Sequence, residues 1–198
     1  LTAQNAVVTY DGAGLGTIMQ ELMHTVLGEY KNLEFWAEEG IPCLFDRCYG
    51  YLIAEKDDRQ SMKIALGFPE EWHAKWMGGK TRAQLTLADI LKHAAHTNAD
   101  FENEQRQLAL LLCKQGKLKA YLSLIETANK KRAATYLEAA LDKPAAQIEA
   151  LFQEYMQALE KENDRIKQLP ETEIFEGKAE FLKFQKEHET MLQPFLLK

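Results

Sequence analysis

Cysteine is scarce in this 198-residue chain: Cys43, Cys48 and Cys113 form an odd set without a regular framework. That pattern excludes a disulfide scaffold and reads as reduced thiols in a cytoplasmic protein. Cys43 and Cys48 make a C-x4-C pair with no second pair to complete a zinc knuckle. No apolar run approaches the roughly 20 residues needed to cross a bilayer. The opening residues carry no basic-then-apolar leader pattern, so a cytoplasmic, non-inserted protein is expected. An excess of positive charge is missing as well: 24 Lys and Arg against 30 Asp and Glu leave a net charge of -6, with both signs interspersed. A nucleic-acid binder would need clustered basic residues, so no nucleic-acid partner is expected. No low-complexity tract or internal repeat occurs.

What is present is the composition of an ordinary globular protein, 46% hydrophobic and 27% charged. "AVVTY" (Ala6 to Tyr10) is strand-like, and "DGAGLG" (Asp11 to Gly16) forms a turn. From Leu15, the positions Ile18, Met19, Leu22, Val26, Tyr30 and Leu33 predict one helix, closed by Gly40 and Pro42. Tyr49–Glu55 and Met62–Phe68 predict two strands joined by a charged turn, a β-hairpin at about 48–68. Thr86 with Asp89 reads as a capping box. The helix it opens carries Leu87, Ile90, Leu91, Ala94, Phe101, Leu108 and Leu112 inward and ends at Gly116. Further helices are expected from about Lys117 to Leu141, from an Asp142 cap and Pro144 to Ile166, and from Gly177 to Leu192. The stretch from Pro170 to Lys178 reads as a hinge before the last of these.

The expected fold is therefore mainly α. A small α+β part with one hairpin occupies residues 1–80, and an antiparallel helical bundle occupies 81–198, the two forming one compact domain. The charged faces of the bundle helices read as solvated surface.

"LKHAAHTNADFENE" (Leu91 to Glu104) is the densest group of potential metal ligands. At about 100° per residue, His93, His96, Asp100 and Glu104 share one helix face. Bundle metal ligands project inward, however, and this face lies opposite the apolar stripe. Glu21 with His24 and Glu70 with His73 repeat the Glu-x-x-His spacing of di-iron bundles. The first pair again opposes its apolar stripe, and the second sits on a short segment. His188 falls on the apolar side of the last helix and reads as a partly buried structural histidine. No metal and no cofactor is expected. A metal-dependent bundle enzyme using His93, His96, Asp100 and Glu104 is the alternative.

"VVTYDGAGLGTIMQEL" has the strand–glycine turn–helix order of nucleotide- or S-adenosylmethionine-binding folds, where backbone amides cradle a ligand. Those folds need repeated strand–helix alternation, which this chain lacks. Ligand binding at Asp11–Gly16 is a third reading, beside a plain flexible turn made by Gly12, Gly14 and Gly16. Cys48 is a conceivable nucleophile, although a cysteine at a strand start is more often packed. In "EEWHAKWMGGK", Trp72, Trp76 and Met77 stand together between charge and glycine. Tryptophan and methionine are favoured partner anchors, and covering the sheet as core is the competing role.

The succession of a helix, the segment "RCYGYLIAEKDDRQSMKIALGF" and a further helix resembles small acidic adaptor or chaperone proteins of bacterial type IV secretion systems. The resemblance covers about Leu15 to Ala95 and rests on Cys48, Gly50 and Tyr51 with the strand returning to Gly67. It implies a cytoplasmic, non-enzymatic protein that joins other adaptors and grips a helical tail of a larger component. It transfers no functional residues. The residues themselves lead to a similar class: a protein-interaction module that binds partner helices or tails, with Trp72, Trp76 and Met77 as anchors and a homodimer as a competing assembly.

Overall fold

The computed structural model describes residues 14–30, 32–54, 60–65, 86–92, 99–127 and 133–192. They form a mostly helical protein with a small sheet.

Helix α1 (Leu15–Leu27) starts after Gly14 and ends where the Gly28 N–H reaches the His24 carbonyl at 2.9 Å. Tyr30 closes a further turn onto the Leu27 carbonyl. The single helix expected from Leu15 through Leu33 is thus two elements, because Gly28 and Glu29 turn the chain before α2 (Phe35–Gly40) begins. A 3-10 turn (Pro42–Phe45) follows, and its residues are all buried. The face of α1 is the other correction. Gly16, Met19 and Leu27 are buried, whereas Leu22 and Val26 of the expected inward stripe are exposed.

Strand β1 (Tyr49–Ala54) is the centre of a three-stranded sheet of order β2-β1-β3. It pairs antiparallel with β2 (Gln60–Ala65), from Tyr49 opposite Ala65 to Ala54 opposite Gln60. The residues that connect these strands lie outside the described ones. On its other edge β1 pairs in parallel with β3 (Glu173–Phe175), Tyr49 opposite Glu173 and Tyr51 opposite Phe175. The stretch expected to be a hinge therefore contains a strand of the sheet. Its position is secured locally: the Glu173 N–H donates to the Cys48 carbonyl, the Cys48 N–H donates to Thr172 Oγ1, and the Tyr49 hydroxyl donates to the Pro170 carbonyl.

Helix α3 (Leu87–Lys92) opens on the expected capping box: the Thr86 N–H donates to Asp89 Oδ2 at 3.0 Å and the Asp89 N–H to Thr86 Oγ1 at 3.2 Å. The Leu87 N–H is satisfied by Glu149 Oε2 from a distant helix. Helix α4 (Ala99–Lys114) ends at Gly116, whose φ of 65° permits the Lys117 N–H to reach back to the Leu112 carbonyl. Helices α5 (Leu118–Thr127) and α6 (Ala133–Leu141) pack on each other. Asp142 does not cap the next helix. It takes a left-handed conformation (φ 53°) at the end of α6, and the Glu138 side chain accepts the Ala145 N–H instead. Helix α7 (Ala145–Lys161) breaks at Glu162 before α8 (Asn163–Ile166), so the expected helix to Ile166 is interrupted. Helices α9 (Lys178–Glu187) and α10 (Glu189–Leu192) are likewise separated at His188.

One apolar cluster runs from Met19 to Leu192 through both halves of the sequence. Helix α4 is its axis. Every residue from Gln105 to Leu112 is buried, including Gln105, Arg106 and Gln107, which a solvated polar face would have exposed. Helix α2 lies against α4 so closely that a side chain on Gly40 would overlap the Gln105 backbone.

Candidate interaction surface

Most residues singled out in the sequence lie outside the described ones: Trp72, Trp76 and Met77, the pair Glu70 and His73, His93 and His96, and Asp11 to Ala13. Asp100 and Glu104 fall on the opening turns of α4. Among the described residues, no group of three His, Cys, Asp or Glu side chains is placed to hold a metal ion. His24 does not face away from the protein as its spacing predicted. Its Nε2 stands 3.7 Å from Oε2 of the buried Glu39 on α2. His188 is partly buried, with Nδ1 2.9 Å from the Phe184 carbonyl and its ring stacked on Phe184, the structural role expected of it.

Of the expected glycine turn, Gly14 and Gly16 are among the described residues. Gly14 is the N-cap of α1 and has open space where a side chain would be. Gly16 has none, because a Cβ there would overlap the carbonyl of Asp46. The close backbone approach at Gly16 is thus made to the chain itself.

Asp46 belongs to a polar node that joins both halves of the sequence. Arg106, 2% exposed, donates through Nε to the Cys43 carbonyl at 2.8 Å and pairs with the Asp46 carboxylate. The Asp46 carbonyl accepts Thr172 Oγ1 at 2.7 Å, and the Arg47 guanidinium donates to the Ile166 carbonyl at 3.0 Å. Cys48 completes the node through its backbone. Burial, reinforced by the Asp46 charge, pushes its thiol up to about 12. Cys48 is fully buried, the packed placement usual for a cysteine at a strand start. Cys113 is pushed up to about 12 by burial alone.

Comparison of the chain with protein-family models, curated proteins and solved structures finds no match. The described surface itself offers two features that the fold does not use internally.

The first is the outer side of α1. Leu15, Leu22 and Val26 are 41%, 44% and 55% exposed, with Ile18 partly exposed between them. Residues 18, 22 and 26 and residues 19, 23 and 27 form two adjacent rows of i, i+4 spacing, about 100° apart on the wheel. Packing on α2 and the 3-10 turn takes the second row and leaves the first in solvent. Gly16 lies over the second row, and its small size is the sequence signal that marks the packed side.

The second is a cavity of about 350 Å³ lined by Glu29, Tyr30, Asn32, Ile125 and Glu126. It opens at the C-terminal ends of α1 and α5, three residues beyond Val26. Close by in the chain, Glu34 Oε2 accepts the Trp36 indole N–H at 2.7 Å and the Tyr121 hydroxyl at 3.0 Å. Burial raises this carboxyl above its ordinary range against those two hydrogen bonds. No helix among the described residues is long and apolar enough to cross a membrane.

Proposed function

We propose that this protein is a non-enzymatic adaptor or chaperone that works by covering apolar surface on a partner helix or tail. The observation that carries the reading is the pair of apolar rows on α1: the row of Met19, Met23 and Leu27 packs on the core, and Leu22 and Val26 of the other, with Leu15 exposed beside them, stand in solvent. Aligned apolar side chains along one side of a helix are how helix-on-helix recognition is commonly presented. Trp72, Trp76 and Met77 belong to the same proposal as additional anchors. So does a cytoplasmic place in a type IV secretion apparatus, which rests on the resemblance of Leu15 to Ala95.

The test is affinity purification of the full tagged chain from its own cells, with quantitative mass spectrometry, beside a Leu22→Glu/Val26→Glu variant. Both positions are exposed, so the variant keeps its melting temperature within a few degrees. The wild type recovers a stoichiometric protein partner and the variant loses it. An identical set of recovered proteins from both would overturn the reading.

A further inference from the structure

We draw no further inference here: the strongest candidate, the exposed apolar row of Leu22 and Val26 on the outer side of α1 with Leu15 beside it, adds nothing to the adaptor reading, because nothing in the structure shows what covers it.

Discussion

Gly16 ties α1 to the chain's own backbone, and its replacement tests how rigidly. Gly16→Ala puts a methyl group into the Asp46 carbonyl, and the helix can recede only by giving up Met19 and Leu27 in the core. A loss of about 2–3 kcal/mol in denaturant unfolding is expected. Gly14→Ser is the control: the site is open and extended, the helix has no side-chain cap there, and stability stays the same or rises slightly. That glycines fill this turn was legible locally. Which one is confined was not, because its neighbour is 30 residues away in the sequence. The same distance effect hid His24, whose partner Glu39 belongs to another helix, whereas the Thr86–Asp89 box was legible because all its groups lie within one turn. Glu34 gives a pH test. Its folded pKa is raised by burial above the ordinary 4.5, so the folded state holds its proton more tightly than the unfolded chain. The stability it contributes is complete below 4.5 and is lost as pH rises through the raised folded value. Glu34→Gln, which can still accept from Trp36 and Tyr121 but cannot ionise, therefore gains on the wild type in urea midpoints as pH rises above 4.5.

Among the elements, β3 was the hardest to anticipate, whereas α9 and α10 fall within the helix expected from Gly177 to Leu192. A strand of three residues has no periodicity to read, and Pro170, Gly177 and the intervening charges imitate a linker. What makes it a strand is the available edge of β1, a tertiary property. Helix α9 is then held to the sheet by rings: Phe184 stands 5.0 Å from Tyr49 and 5.0 Å from Phe175, and Phe181 is 5.3 Å from Tyr51. Phe184→Ala removes the shared member of this group and should cost about 3–5 kcal/mol in chemical denaturation. Limited proteolysis of that variant should begin between Pro170 and Lys178, as α9 loses its seat. The apolar period of α1 was legible, but two equivalent rows fitted it. The row taken by the core was decided by α2 and the 3-10 turn, not by α1.

At the scale of the molecule, α4 is enclosed on all sides from Gln105 to Leu112. Sequence periodicity marks Leu108 and Leu112 as inward, yet it assigns Gln105, Arg106 and Gln107 to solvent, because a helix wheel does not show how many neighbours surround it. Arg106 is compatible with burial through its carboxylate and carbonyl partners, a satisfied arrangement that a lone buried guanidinium would lack. Native-state hydrogen exchange should find the amides of Leu108 to Leu112 among the slowest in the protein, opening only with global unfolding. The parallel register between β1 and β3 also has a temporal meaning. On a ribosome β1 emerges about 120 residues before its partner strand. At about 5–20 residues per second, that edge waits roughly 6 to 24 seconds for its mate. Until then the nascent chain carries an unclosed sheet, and the parallel edge is sealed only when β3 follows.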